Sequence, residues 1–170
     1  MSGPLLPTPW MYGRRRLTRV ELAIYAVIVA ALIAGFSSYA LQYMEVAEKT
    51  AMDSTLSNVA LAINVRYASR LMAGERDDAS WTRQNPFELA KAFPPNYRGA
   101  GGEDLDGADR PAWFFDIERA EIVYLPRLHR FLTTPTDNVL RFALQRSRGG
   151  AGYVLVPTSK YQWAVYSERN

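Results

Sequence analysis

The chain has 170 residues and no cysteine, with 20 Lys and Arg against 17 Asp and Glu. The absence of cysteine excludes a disulfide framework and a thiolate metal site. The basic excess is local, because from Gln42 onward the chain carries 16 basic and 16 acidic residues. The isoelectric point near 9.3 therefore gives no reason to expect a nucleic-acid partner.

Residues 1–16 are predicted to form an irregular leader. This segment is rich in proline at its start, and arginines cluster where it meets an apolar stretch. A basic cluster that abuts an apolar segment is typical of the cytoplasmic flank of a membrane span. We therefore expect the N-terminus to be cytoplasmic and the rest of the chain to be translocated.

Residues 17–41 are predicted to be the membrane-spanning half of a long helix. The stretch Leu22–Leu41 is nearly uniformly apolar. About 20 helical residues at 1.5 Å each cover roughly 30 Å, which is the thickness of a bilayer core. Two less specific interpretations stay open, a signal peptide cleaved near Ser38–Ala40 and a plain single-pass anchor.

The helix is predicted to continue as an amphipathic half over residues 42–74. No proline interrupts this stretch, which favours one helix from about Leu17 to Ala73. Apolar residues in this half recur at steps of three and four, and such a stripe predicts one buried face. The stripe consists of Met52, Leu56, Val59, Ile63, Tyr67 and Leu71. Gly74 is expected to end the helix.

Residues 75–170 are predicted to form an α+β head with an antiparallel sheet. A short helix is expected at Phe87–Ala92, before a proline pair. Short connections between the β-rich runs favour an antiparallel meander. The predicted strands are 112–116, 121–125, 139–145, 152–157 and 161–167. The aromatic residues expected in the core between sheet and helix are Trp113, Phe114, Tyr124, Trp163 and Tyr166.

The N-terminal stretch LTRVELAIYAVIVAALIAGF resembles the methylation segment of type IV pilins and type II secretion pseudopilins. In that family an apolar residue begins the mature chain, threonine often follows, and glutamate stands fifth; Leu17, Thr18 and Glu21 fall on those places. The later pieces NPFELA, PPNYRG and WFFDIERAEIVYLP resemble the globular part of a pseudopilin-like subgroup. The resemblance implies a pilin-like fold, in which a long helix packs on an antiparallel sheet.

The resemblance also implies a function and a location. It predicts a structural subunit that assembles through its long helix with other pilin or pseudopilin subunits and with inner-membrane assembly platform proteins. The chain would cross the bacterial inner membrane once, with its head in the periplasm. The alternative is an uncleaved, single-pass membrane-anchored periplasmic interaction protein that never enters a fibre. An anchored enzyme is the least favoured reading, because the sequence has no phosphate-binding loop and no convergent titratable motif.

The leader departs from the family pattern at the processing site. The residue before Leu17 is Arg16, where the family's processing peptidase normally takes glycine, and Arg19 occupies a position that is usually apolar. In processed members the glutamate is thought to neutralise the N-terminal amine of a neighbouring subunit. In an uncut chain Glu21 is expected to meet Arg19 of a neighbour, or the amine of a processed partner.

The remaining polar features carry weaker predictions. An acidic loop with Glu103, Asp104, Asp106 and Asp109 could hold Ca²⁺ through oxygen ligands, but its spacing matches no EF-hand and a solvated loop is favoured. No other cofactor is expected. His129, the only histidine, is predicted to lie on the surface. The arginines between positions 127 and 148 are read as a solvated face or a patch that contacts a partner.

Overall fold

The computed structural model describes residues 18–75, 79–101, 107–135, 138–149 and 152–164. These residues form an α+β structure, with one long N-terminal helix and a mixed five-stranded sheet. The chain divides into two compact units, Met1–Ala40 and Leu41–Asn170. We refer to them as the N-terminal unit and the globular unit.

The long helix α1 runs over Arg19–Met72 and has 54 residues. It ends where the sequence predicts. Gly74 adopts a left-handed φ of 75°, and its N–H donates to the carbonyl of Leu71 at 3.0 Å while the N–H of Glu75 donates to the carbonyl of Arg70 at 3.0 Å. These two bonds form a Schellman motif, which satisfies carbonyls at the helix end.

Within the globular unit, one face of α1 is buried. Met52, Val59, Ile63 and Tyr67 lie in the core, and Leu56 packs against it, so the predicted stripe is confirmed over these residues. The prediction is wrong for Leu71, which is 47% exposed. Successive steps of four residues rotate a stripe by about 40° each. Three such steps after Val59 carry Leu71 roughly 120° around the helix, away from the core.

Two short helical elements follow α1. A 3₁₀ turn covers Ala79–Arg83, and helix α2 covers Pro86–Ala90. The predicted helix at Phe87–Ala92 is therefore displaced towards the N-terminus. The carbonyl of the Asn85 side chain accepts from the N–H of Phe87 at 3.1 Å, and proline is suited to the first helical position. Lys91 is left-handed (φ 52°) and closes the helix.

The strands are β1 Tyr97–Ala100, β2 Ala112–Asp116, β3 Glu121–Leu125, β4 Leu132–Thr133, β5 Leu140–Arg146, β6 Tyr153–Pro157 and β7 Gln162–Trp163. The main sheet is mixed, so the prediction of an antiparallel sheet is confirmed only in part. Its order is β1-β2-β3-β5-β6, and a separate two-stranded sheet joins β4 to β7. The edge strand β1 runs parallel to β2, whereas the other pairs are antiparallel.

The last predicted strand, 161–167, also differs from the prediction. Only Gln162–Trp163 is a strand within the described residues, and it pairs with β4 rather than with β6 as a meander would require. Positions 165–167 lie outside the described residues. A connection of four residues after β6 therefore leaves the main sheet instead of forming a hairpin with it.

The predicted core aromatics divide by strand face. Trp113, Tyr124 and Trp163 are buried in the core cluster, as predicted. Phe114 is only half-buried, because neighbouring residues of a strand point to opposite faces of the sheet and Trp113 takes the face towards α1. Tyr166 lies outside the described residues.

Candidate functional site

In the N-terminal unit, α1 presents apolar side chains on every side. All described residues from Thr18 to Tyr39 are exposed, and no charged residue occurs between Leu22 and Met44. Large side chains on all faces share this exposure, among them Ile24 at 53%, Val27 at 69% and Leu32 at 68%. Over the described ranges, α1 is the helix long and apolar enough to cross a membrane. Such a surface is stable only in lipid or against other apolar surfaces.

Glu21 completes the N-terminal cap of α1. Its Oε2 accepts from the N–H of Thr18 at 2.8 Å and from the Thr18 hydroxyl at 3.1 Å. The N–H of Glu21 donates in turn to the Thr18 hydroxyl oxygen at 3.3 Å. This reciprocal pattern is a capping box, with Thr18 as the N-cap and Glu21 as the third helical residue. This capping role was not among the predictions for Glu21, although the Thr-x-x-Glu spacing is the sequence signature of a capping box.

The other predicted assembly and processing residues are only partly described. Arg19 is the first residue of α1 and is exposed. Over the described ranges, the ion pairs of the chain do not include Glu21. Arg16 and Leu17, the predicted processing junction, lie outside the described residues. An attraction between Glu21 and a cation of a neighbouring chain therefore stays a prediction.

The predicted calcium loop is described only at its end. The Asp109 side chain is 92% exposed, and its Oδ2 lies 3.4 Å from Nη2 of Arg98. Glu103, Asp104 and Asp106 lie outside the described residues. Among the residues that the structure does describe, no three acidic or histidine side chains form a group suited to a metal ion. His129 is exposed, as predicted.

The globular unit contains a pair of helix carboxylates that the sequence analysis missed. Glu45 is 2% exposed. Its Oε1 accepts from the N–H of Phe131 at 2.9 Å and from the indole N–H of Trp163 at 2.9 Å. A buried carboxylate is stable when N–H donors replace its water. Glu45 thus holds a loop and the short strand β7 against α1.

Glu48 makes a similar set of contacts one turn later on α1. Its Oε1 accepts from the N–H of Arg127 at 2.6 Å and from the Tyr124 hydroxyl at 3.1 Å, and its Oε2 accepts from the N–H of Leu128 at 3.0 Å. Burial raises the pKa of Tyr124, and the negative charge and hydrogen bond of Glu48 raise that pKa further. Tyr124 therefore remains a proton donor to Glu48 at any ordinary pH.

Together these contacts fix the segment between β3 and β4 onto α1. We call the two carboxylates, Glu45 and Glu48, and the segment Arg127–Phe131 that they hold the glutamate clamp. Three backbone N–H groups of this segment end on the two carboxylates, so its main chain is positioned by α1 directly. The clamp orders a short loop that would otherwise expose unpaired amides.

An open groove of about 560 Å³ lies beside the glutamate clamp. One wall is the face of α1 that carries Met44, Ala51 and Met52, and the other contains three prolines and Trp113. The prolines are Pro94, Pro95 and Pro111. The groove is mainly apolar. Its lining also includes Glu48, Tyr124 and Arg127, of which the first two are hydrogen-bonded to each other within the clamp.

A signal for the clamp is present in the sequence but is weak. Glu45 and Glu48 are spaced as neighbours on one helix face, and Glu45 lies on the side of α1 that becomes buried. The two donors to Glu45 are separated from it by 86 and 118 positions in the sequence. Such distant partners cannot be read from local pattern, so the two carboxylates look like ordinary solvated charges in the sequence.

No protein-family model, no curated protein and no solved structure matches this chain.

Proposed function

We propose that the chain is a pilin-like or pseudopilin-like structural subunit that works by helix–helix assembly. In this proposal residues 17–41 are stored in the bacterial inner membrane, the N-terminus is cytoplasmic and the globular unit is periplasmic. The observation that carries the proposal is the charge-free apolar half of α1, which is exposed on all sides. The segment from Leu17 to Phe36 resembles the N-terminal segment of type IV pilins and pseudopilins. This resemblance is the reason for proposing an assembly of the pilin or pseudopilin kind.

The physical basis of assembly is the change of environment for this apolar surface. Within lipid, helix association gains no hydrophobic free energy, because lipid tails are as apolar as the side chains. Once the helix leaves the bilayer, burying about 500 Å² of apolar surface against equivalent helices supplies roughly 12 kcal/mol before ordering costs. Extraction from lipid therefore needs an external motor, which the proposal assigns to the assembly machinery.

Glu21 has a second role in the proposal. The capping box occupies Oε2 with two donors from Thr18, and a carboxylate has acceptor capacity for more. A cation of a neighbouring subunit, either Arg19 or the amine of a processed partner, would add an ion pair in a medium of low dielectric constant, where such a pair is strong. Thr18 would then orient the carboxylate for that contact.

Three variants separate the capping role from the charge role. Glu21→Gln keeps an acceptor suited to a capping box but removes the charge, whereas Glu21→Ala removes both. Thr18→Ala weakens the cap and keeps the charge. The proposal expects Glu21→Gln to reduce incorporation into the assembly nearly as much as Glu21→Ala, and Thr18→Ala to reduce it much less. Normal incorporation of the Glu21→Ala variant into the assembly would contradict the proposed ion pair.

The alternative function is a single-pass membrane anchor for a periplasmic interaction protein. It is favoured by Arg16, which stands where the processing peptidase normally takes glycine. Intact-mass measurement of the protein purified from its own membranes distinguishes the two functions if the chain has been processed. A mature chain that begins at Leu17, above all a methylated one, supports the fibre subunit. A chain that begins at Met1 is either an anchor or an uncut subunit, and crosslinking between copies then decides.

A further inference from the structure

The glutamate clamp holds a basic loop close to the end of the apolar segment. Glu45 and Glu48 are four and seven residues beyond Leu41, the last residue of the predicted span. At 1.5 Å per residue these positions are roughly 6 and 10 Å further along the helix axis. The polar headgroup layer on each side of a bilayer core is about 5–7 Å thick. The main chain of Arg127–Phe131 is hydrogen-bonded to both glutamates, so the loop is attached to α1 within roughly 10 Å of the end of the predicted span.

The side chains of this loop suit that position. Arg127, His129 and Arg130 are exposed, and Leu128 and Phe131 between them are half-buried. The Arg130 guanidinium lies 5.8 Å from the centre of the Phe131 ring. Basic groups that alternate with apolar and aromatic side chains are typical of segments that lie in a membrane interface.

The negative charges of the clamp are turned away from this basic surface. Glu45 and Glu48 accept from three loop N–H groups, from Trp163 and from Tyr124. Their oxygens are therefore directed at the protein, and Glu45 is 2% exposed. The Arg127 side chain is held by a hydrogen bond from its Nε to the carbonyl of Arg110 at 3.0 Å. Over the part of the chain that the structure describes, the ion pairs include neither Arg127 nor Arg130, and the fork of N–H donors of a guanidinium matches the oxygens of a phosphate.

A tyrosine marks the same level on α1. Tyr43 is 72% exposed and follows the apolar span by two residues. Exposed tyrosines are enriched where a membrane-spanning helix meets the headgroups, because the ring is apolar and the hydroxyl is polar. Tyr43 precedes Glu45 by two residues on α1.

We propose that the loop Arg127–Phe131 binds the headgroups of anionic phospholipids, with the Arg127 and Arg130 guanidiniums as phosphate ligands. The proposal requires the Leu22–Leu41 span, which both candidate functions share, and it is independent of assembly into a fibre.

The test uses the full chain in nanodiscs, and the natural absence of cysteine allows a single label. A fluorophore on His129→Cys is quenched by Ni²⁺ carried on a chelating lipid headgroup, and the phosphatidylglycerol fraction in phosphatidylcholine is varied. The control label is at Glu118→Cys, an exposed position in the β2–β3 turn at the opposite end of β3. We expect quenching at position 129 to increase with the phosphatidylglycerol fraction, and quenching at position 118 to remain low.

Charge variants assign the contact to the two arginines. Arg127→Gln with Arg130→Gln is expected to remove most of the increase in quenching with the phosphatidylglycerol fraction, because each basic residue contributes about 1 kcal/mol at an anionic surface, roughly fivefold in the binding constant. Arg130→Gln alone keeps the contact of Arg127 with Arg110. Arg148→Gln, at an exposed position beyond the far end of β5, is the matched control and should change nothing.

The outcomes are distinguishable. Co-elution of the chain with the nanodisc reports the membrane span by itself, so failure of the span appears as loss of co-elution. If the chain co-elutes, three results overturn the lipid contact. They are quenching at position 129 that is equal in both lipids, quenching that the arginine variants leave unchanged, and quenching that is as strong at position 118. A contact of the loop with an acidic protein surface would give the first of these.

Discussion

The two parts of α1, before and after Leu41, differ in the pattern of their sequence and in what surrounds them. Before Leu41 the apolar residues have no period, and the side chains are exposed on every face. After Leu41 the apolar residues recur with the helical period, and one face is buried against the sheet. A periodic helix is matched to one protein surface, whereas a helix that is apolar all round is matched to a uniform surrounding such as lipid or a ring of similar helices.

Polar side chains in the two parts follow the same difference. In the first part they bond within the helix, as Ser38 does when its hydroxyl donates to the carbonyl of Ala34 at 3.1 Å. In the second part the hydroxyls of Thr50, Thr55 and Ser69 also bond within the helix. This part has in addition Glu45, Glu48 and Asn64, which bond to residues that are 76 to 118 positions away. Polar groups that are satisfied within the helix can be moved from lipid into a fibre without loss of hydrogen bonds. Polar groups that reach across the fold fix one tertiary structure.

The largest difference in unfolding free energy is expected between two isoleucine-to-alanine variants, one in each part of α1. Ile63 is 0% exposed and Ile28 is 50% exposed. Ile63→Ala should lower the free energy of unfolding of the globular unit by about 2–5 kcal/mol, through lost burial and a cavity. Ile28→Ala should leave it unchanged. Denaturant unfolding of the full chain in nanodiscs, followed by tryptophan fluorescence, measures both. Equal losses would contradict the separation of the two parts.

Removal of the Glu45 carboxylate should have the next largest effect. Glu45→Ala leaves the N–H of Phe131 and the indole N–H of Trp163 buried without an acceptor, which costs about 2–3 kcal/mol. Glu45→Gln keeps one acceptor oxygen and should lose less. Glu118→Ala, at an exposed position, is the control. An unchanged unfolding midpoint for Glu45→Ala would show that the clamp does not stabilise the loop.

Asn64 is expected to contribute somewhat less. Its side chain donates to the carbonyl of Tyr153 at 2.8 Å and accepts from the N–H of the same residue at 2.8 Å. Asn64→Ala should cost about 1–2 kcal/mol in unfolding free energy, whereas Asn58→Ala, on the exposed face of α1, should cost little. Similar losses for the two variants would mean that helix propensity, and not the contact with β6, is being measured.

Gly152 offers an independent check of the same contact. It has a φ of 119°, and a Cβ at this position would collide with the side-chain oxygen of Asn64. Gly152→Ala should therefore be destabilising by about 1–3 kcal/mol, from backbone strain and from displacement of Asn64. In the Asn64→Ala background the collision is removed, so the cost of Gly152→Ala should be smaller there. An additive double variant would contradict this coupling.

The smallest effect on unfolding free energy is expected for an ion-pair cluster on the outer face of the sheet, and this effect depends on pH. Asp116 and Glu121 are directly opposite each other on β2 and β3, and Nη1 of Arg141 lies 2.9 Å from Asp116 and 3.4 Å from Glu121. Burial raises the pKa of Asp116, but the N–H of Arg119 and the charge and hydrogen bond of Arg141 lower that pKa by more, and the net shift is downward.

The sign of the pH dependence follows from that lowered pKa. Asp116 contributes stability that is fully present above its unfolded pKa of about 4 and is lost as the pH falls through its lower folded pKa. Arg141→Met should therefore cost about 1 kcal/mol near pH 7, with a difference from the parent chain that shrinks below pH 4. A difference that grows on acidification would show that Asp116 is not the group involved.

The sequence predicts the parts of this fold that depend on local pattern. The extent of α1, its end at Gly74 and its buried face over Met52–Tyr67 all follow from helical periodicity and from a glycine that can take positive φ. The strands at 112–116 and 121–125 agree with the structure residue by residue, because β-rich runs with a short turn between them determine their own pairing.

The rest depends on partners far away in the chain. The strand β1 has four residues, follows two prolines, and pairs in parallel with β2 through an irregular register, so nothing local marks it as a strand. The short strand β7 pairs with β4 over two residue pairs. The glutamate clamp likewise depends on donors that are distant in sequence. At Glu21 the capping partner is local, and the Thr-x-x-Glu spacing would have predicted it.

Crosslinking between copies through the apolar part of α1 tests the central claim most directly. Two variants carry a single cysteine each, at Ala26 or at Ile28, and these positions lie about 160° apart around the helix. The control is Ile117→Cys, at a position that is 63% exposed in the β2–β3 turn. Because each chain then carries one thiol, it can be linked to one neighbour. In the native host, with its assembly machinery present, an assembly subunit should give disulfide-linked dimers at both helix positions, through different neighbours, and few at the control. Monomer alone at both helix positions, or dimers no more abundant than those of Ile117→Cys, would contradict helix–helix assembly and leave the membrane anchor as the function.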